Sequence, residues 1–255
     1  MILRSPLLEG AGFRHGFSTR RGGHSVGAFE ALNLAFGLGD DEAAVIKNRA
    51  RFFEAIGVAE DRAYEANQVH GTHTIRAEGD PALIRALDAD ALVAFAPSVG
   101  VFVRTADCVP LLLADPSSGA ALAVHAGWRG AVAEIVGRSL RLFLNATGAR
   151  PETLLAAIGP HIGKDAFEVG PEVIAAFDRA SPPDAPKLYR ANGDRYLADL
   201  GGLVLAQLLH AGLIARHIDA LDRCTFTDSA SFFSYRRDGA LSGRQLSGIV
   251  ARAPR

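Results

Sequence analysis

Residues 91–130 read ALVAFAPSVG VFVRTADCVP LLLADPSSGA ALAVHAGWRG. Four short apolar runs lie in these forty positions: Ala91–Phe95, Val99–Arg104, Leu111–Ala114 and Ala120–Ala126. Each is too short for a typical helix, is rich in Val, Leu or Ala, and is bounded by Pro, Gly, Ser or Asp. That pattern predicts consecutive strands, with Pro116–Gly119 as the turn between the last two. Gly127 and Gly130 bracket Trp128-Arg129, permitting a tight turn or a close backbone approach. A helix is expected from Ala131 to Ala146, with Gly148 past its end.

Outward from this centre, the segment 13–19 reads as a strand running into Arg20-Arg21-Gly22-Gly23. Asp40 or Asp41 is an N-cap for a helix through Ile56 that Gly57 ends. Ala63–Val69 and Thr72–Ala77 read as strands around His70-Gly71, and Asp80-Pro81 starts a short helix. Thr153–Ile158 is a further buried strand, and Pro171 opens a helix to about Arg179. Asn192-Gly193-Asp194 is a hairpin turn. Asp199 caps a helix to about Leu213, and His217–Leu221 and Gln245–Ala251 are closing strands. Strands and helices do not alternate strictly. The expected fold is therefore α+β, a mixed β-sheet with flanking helices. Apolar segments continue throughout, and the loop-like SPPDAP at 181–186 is short, so one domain is expected over 1–255.

Length and charge set the outer bounds. At 255 residues the chain can bury a large core without staples. Twenty-seven basic against twenty-eight acidic residues leave a net charge of −1, which speaks against a nucleic-acid or membrane-surface binder. The longest uncharged apolar stretch, 200–215, contains Gln207, His210 and three glycines, too short and too polar for a membrane span. The two cysteines, Cys108 and Cys224, make no disulfide framework. MILRSPLLEGAGF at the start lacks the apolar run of a signal peptide. A cytoplasmic, reducing location is expected; the sequence sets no oligomeric state.

The dinucleotide, P-loop, nucleophile-elbow and zincin motifs are all absent. The chemistry-bearing residues instead sit at strand ends: His70 in NQVHG, Asp107-Cys108 in TADCVP, and His125 in AVHAGWRG. Two imidazoles and a thiolate form a catalytic zinc set, which uses three protein ligands and leaves one position open. Their spacings, 38 and 17 residues, follow no local rule. The same residues read as two turn histidines and a buried thiol, or as a Cys108–His125 or Cys108–His70 nucleophilic pair. Asp107 is a candidate catalytic group only if the strand ends before it, because strand neighbours point to opposite faces. Arg20, Arg49 and Arg129 are candidate anion ligands, and His161 after Gly-Pro is a candidate substrate group. Cys224 reads as a buried small hydrophobe.

Nine blocks then carry a resemblance: FSTRRGG (17–23), ALNLAFGLGDD (31–41), NQVHG (67–71), TADCVPLLLADP (105–116), AVHAGWRG (123–130), IGPHIG (158–163), FEVGPEV (167–173), FFSYRRDG (232–239) and GRQLSGI (243–249). In order and over almost the whole chain, they resemble the YfiH-like, or laccase-domain, family of multicopper polyphenol oxidase-like proteins. That family is similar to the FAMIN-type purine nucleoside enzymes. The resemblance implies an α+β fold like that of a toxin deamidase, and a metal site on His70, Cys108 and His125. It also implies phosphorolysis of adenosine, inosine and methylthioadenosine, with adenosine deamination. On that reading the ion is Zn²⁺ with Cu²⁺ as competitor, and the partners are a purine nucleoside and phosphate. Arg20, Arg49 and Arg129 are then the phosphate candidates, and Cys108 and Asp107 the catalytic ones. A Cys–His amidase acting on a cell-wall or peptide amide is the alternative. A copper polyphenol oxidase is a weaker one, since the only Met is Met1 and no His-x-His occurs.

Overall fold

The computed structural model describes residues 2–254. In chain order its strands are β1 (Ile2–Leu3), β2 (His15–Ser18), β3 (Ala63–Tyr64), β4 (Thr74–Arg76), β5 (Ala91–Ala94), β6 (Gly100–Thr105), β7 (Val109–Ala114), β8 (Ala121–Ala126), β9 (Leu155–Ile158), β10 (Glu168–Val169), β11 (Tyr189–Asn192), β12 (Arg195–Ala198), β13 (Ile218–Ala220) and β14 (Gln245–Val250). The helices are α1 (Pro6–Gly10), α2 (Glu42–Ile56), α3 (Pro81–Arg85), α4 (Trp128–Val132), α5 (Ile135–Thr147), α6 (Pro171–Ala180), α7 (Leu200–His210) and α8 (Tyr235–Asp238).

Two mixed sheets carry the fold. One has the order β1-β2-β14-β6-β3 and the other β13-β9-β7-β8-β5-β4. A small sheet, β10-β12-β11, holds the hairpin turning at Asn192-Gly193-Asp194. Strand alternation divides the core. In β7, Leu111 and Leu113 feed one apolar cluster, while Leu112 and Ala114 feed another, as a period of two requires. The first cluster continues into Leu140 and Phe143 of α5, Phe177 of α6 and Leu203 of α7. The second continues into Phe17, Val101, Val103 and Ile249 of the five-stranded sheet. That sheet's other face, through Phe102 and Leu246, packs on Phe52, Phe53 and Ile56 of α2. The result is helix, sheet, sheet, helices in four layers, an α+β architecture with mixed sheets. The central runs are continuously apolar because both sheets are covered twice.

Local signals behave as their chemistry dictates. The Asp41 carboxylate caps α2 by accepting from Ala43 N–H, and Gly57 ends it in the left-handed region. Asp80 and Asp199 cap α3 and α7 in the same way. One difference matters for the site. The helix expected over 131–146 is two helices, α4 starting earlier at Trp128, and α5. Glu134 breaks them with a φ of 67°. Among the described residues no helix is long and apolar enough to cross a membrane.

Candidate metal centre

Three turns bring His70, Cys108 and His125 together. β6 ends at Thr105, and Asp107 takes a φ of 97°, so the chain reverses sharply before β7 and delivers Cys108 to the sheet end. His125 lies in β8, opposite Pro110 of β7. His70 stands in a loop, itself at a φ of 59°. One donor atom from each lies within 4.8 Å of the others. Cys108 Sγ is 3.7 Å from His70 Nε2, and the two imidazoles meet edge to face at 4.9 Å between centroids.

The group that organises this set is one that sequence reasoning missed. Asp90, fully buried just before β5, accepts four hydrogen bonds. Oδ1 takes His125 Nδ1–H at 2.7 Å and His70 N–H at 3.0 Å; Oδ2 takes Gly71 N–H at 2.6 Å and Val69 N–H at 3.2 Å. Its main-chain carbonyl also accepts from His125 N–H at 2.7 Å. A carboxylate on Nδ1 fixes the tautomer and leaves Nε2 with its lone pair facing outward, the arrangement that metal-ligating imidazoles use. Burial opposes Asp90's charge, but the bonds from His125 and the loop amides outweigh it and hold its pKa below the usual range.

Electrostatics in the set point the same way. Burial pushes the Cys108 thiol up, but His125 and His70 outweigh it and bring it down to about 6. Burial pushes His125 down, but Cys108 and Asp90 raise it to about 9. Without metal this is a thiolate facing an imidazolium; a divalent cation would offer the thiolate a larger positive charge and take the proton's place on the imidazole. The space is kept clear. A Cβ on Gly127 would stand 2.6 Å from His70 Cδ2 and 3.1 Å from Cys108 Sγ, and one on Gly130 only 2.8 Å from Gly71 O. The first glycine of GWRG therefore leaves room for the donor set, and the second lets α4 approach the His70 loop. Two nitrogens and one sulfur around a cleared space suit zinc or copper; the group can hold a metal ion.

The set opens onto a cleft of about 730 Å³ lined by Trp128, Phe167, Tyr235, Arg104, Arg129 and Arg244 among others. Of the sequence's anion candidates only Arg129 lines it. Arg49 is 2% exposed. Its guanidinium pairs with Glu65 and donates to Leu34 O, so the expected phosphate contact gives way to a buried ion pair. Arg20 is likewise drawn off, donating to Glu30 O at 2.6 Å and Ser229 O at 3.2 Å. His161 gives its Nδ1–H to Gly159 O at 2.8 Å and packs its ring over Gly201 of α7, away from the cleft. Asp107 does line the cleft, but both its oxygens are occupied. Thr225 Oγ1–H donates at 2.6 Å, Ser234 Oγ–H at 3.0 Å and Arg236 N–H at 2.7 Å. It ties the Cys108 turn to the 225–236 segment through these three bonds. Cys224 accepts from Gly163 N–H at 3.2 Å and is separate from the donor set. Arg104, Arg195, Arg236 and Arg244, which the sequence did not single out, also line the cleft.

A family model described as multi-copper polyphenol oxidoreductase laccase matches residues 14–252. A Deinococcus radiodurans protein named purine nucleoside phosphorylase is 40% identical over 248 residues, covering 97% of this chain and 92% of the relative. The Escherichia coli purine nucleoside phosphorylase YfiH is 38% identical over 232 residues, 91% of each chain. The crystal structure of YlmD from Geobacillus stearothermophilus superposes with a TM-score of 0.91 at 33% identity, covering 98% of this chain and 96% of that one. By its family match and by these relatives, the chain belongs to the laccase-like family that includes YfiH and YlmD.

Proposed function

We propose that this protein is a zinc-dependent purine nucleoside phosphorylase acting on adenosine, inosine and methylthioadenosine, with adenosine deaminase activity at the same site. The observation that carries the reading is the His70–Cys108–His125 set at the mouth of an aromatic and arginine-lined cleft. The names of the relatives support it. Among the described residues this is the one group of three or more metal-ligating side chains drawn together, which favours a single-ion site over a multicopper cluster. When bound, zinc supplies a Lewis acid that orients and polarises a substrate oxygen.

The chain's own residues do the rest. Trp128 and Phe167 line the cleft, with Arg129 4.5 Å above the Trp128 ring and Arg236 5.3 Å above that of Phe167, aromatic and cationic groups suited to a purine. Cleft guanidiniums match phosphate oxygens in pairs. Phosphorolysis breaks the C1′–N bond, with the electron pair leaving on the base, as a phosphate oxygen bonds to C1′. C1′ becomes cationic as the base departs, so an anion held beside it both stabilises that charge and captures it. Asp90 keeps His125 in one tautomer throughout.

The test is inosine turnover by metal-loaded protein with and without orthophosphate, identifying the sugar by NMR. The reading expects hypoxanthine and ribose 1-phosphate, formed only with phosphate present. Free ribose formed without phosphate would reject phosphorolysis. A second reading, a Cys–His amidase, is favoured by the thiolate–imidazolium pair of Cys108 and His125. It expects metal-free protein to hydrolyse amides and to be inactivated by thiol alkylation.

A further inference from the structure

Arg104 and Arg244 enter the cleft from neighbouring positions of one sheet. Arg104 of β6 is in register with Leu246 of β14, and Arg244 stands two residues before that partner. Both line the cleft together with Cys108. Among the other cleft arginines, Arg195 lies 3.1 Å from the Glu168 carboxylate, Arg236 donates to the main-chain carbonyl of Glu168 at 2.7 Å and lies over the Phe167 ring, and Arg129 lies over the Trp128 ring. Arg244 makes no ion pair among the described residues. Its Nη1 donates to the carbonyls of Ser242 and Gly243, which fixes the guanidinium plane and leaves Nε and Nη2 to bond elsewhere.

Arg104 has a carboxylate nearby, but that carboxylate is overdrawn. Glu65 pairs with Arg49, lies 3.7 Å from Arg104 and 4.0 Å from Arg85. Three guanidiniums against one carboxylate leave this group with a net charge of two, Arg104's own included. Arg104 Nη2 is anchored on Ala66 O at 2.8 Å, so its free edge is fixed as well. Two held guanidiniums with uncompensated charge are a site for a multiply charged anion with several oxygens.

We propose that Arg104 and Arg244 form the phosphate subsite of this cleft, presenting orthophosphate beside Cys108. The inference rests on the phosphorolysis reading and replaces Arg20 and Arg49 as the phosphate ligands. Hydrogen phosphate held there bonds through one oxygen to C1′ as the C1′–N bond breaks. The base leaves with the electron pair, and the phosphate's proton ends on the base nitrogen. The sugar phosphate then occupies the same pair of arginines.

Orthophosphate is titrated calorimetrically into the zinc-loaded full chain without nucleoside, for wild type, Arg244→Gln, Arg244→Lys and Arg104→Gln. Thermal melts and zinc content confirm that each variant is folded. Saturable binding is expected in wild type. About tenfold weakening or more is expected in Arg244→Gln, with partial recovery in Arg244→Lys, since one bidentate charge-assisted contact is lost and then partly replaced. In turnover, the phosphate KM should rise in step while the inosine KM stays within about threefold. A folded Arg244→Gln protein with wild-type phosphate affinity, or no phosphate binding by wild type, overturns the subsite. Arg244-dependent phosphate binding combined with phosphate-independent release of ribose keeps the subsite and rejects the phosphorylase.

Discussion

Asp90 decides the quality of the metal centre, because a single buried carboxylate serves both histidines. Four N–H donors converge on its two oxygens, two on each. In Asp90→Asn one oxygen becomes an NH₂ that faces two donors, so either the His125 side or the Val69–Gly71 side loses its bonds. Zinc affinity in Asp90→Asn, measured by chelator competition, should fall about 10- to 100-fold, the usual cost of losing a ligand-orienting partner. Wild-type affinity would show that Asp90 does not orient the ligands. The contrast with what the sequence discloses is instructive. His70, Cys108 and His125 stand out because imidazoles and thiols at the ends of apolar strands are scarce. Asp90 has no such mark: it is one more acid before a strand, and its role appears only when the 69–71 loop folds back onto it. Arg49 misleads for the same reason. Its partner Glu65 is sixteen residues away, and a guanidinium's destination is tertiary.

At the scale of elements, β6 and β14 are joined by a packing device as well as a hydrogen-bond ladder. Gly248 is the register partner of Phe102, and a Cβ there would overlap the Phe102 ring. The ring in turn packs edge-on against Phe53 at 5.2 Å. Gly248→Ala must therefore push Phe102 off its seat between the sheet and α2. It should cost about 1–3 kcal/mol, the range for an overpacked core, read as a lower urea midpoint with an unchanged slope. An unchanged midpoint would show that the ring moves freely. The four central strands were legible because runs of Val, Leu and Ala with turn residues between them admit few other readings. Their division between two sheets was not, since periodicity cannot say which neighbour a doubly buried strand chooses. The break at Glu134 was hidden too. A left-handed glutamate has no compositional sign. β1, β3 and β10, two residues each, carry too little sequence for a pattern.

Across the whole molecule, a buried histidine stands at the joint between the two sheets, where acid is expected to act. His15 of β2 accepts Ser5 N–H on Nε2 at 2.8 Å and donates Nδ1–H to Phe13 O at 2.9 Å. Only the neutral ring can do both. Ser5 caps α1 and donates to Asp219 in β13 of the other sheet, so protonating His15 loosens a bridge between sheets. Burial lowers the pKa of His15 from its usual 6.5, and burial lowers His161 in the same way. Below pH 6.5 the unfolded chain therefore takes up protons that the folded chain refuses. Their contribution to stability is complete above the unfolded value and is lost as pH falls through the folded ones. Burial opposes the charge of Glu65, but its arginines outweigh it and lower its pKa from 4.5, so its contribution is lost only in stronger acid. The loss of stability on mild acidification thus includes these two histidines, alongside the Cys108 thiolate, which is protonated near pH 6. Melting temperature should fall between about pH 7.5 and pH 5.5, and His15→Gln, which cannot titrate, should start lower but fall less steeply over that interval. Parallel curves for the two proteins would place the acid sensitivity elsewhere. His161→Gln, scanned alongside, then divides the remaining slope between the sheet joint at Ser5 and the contact of His161 with Gly201 in α7.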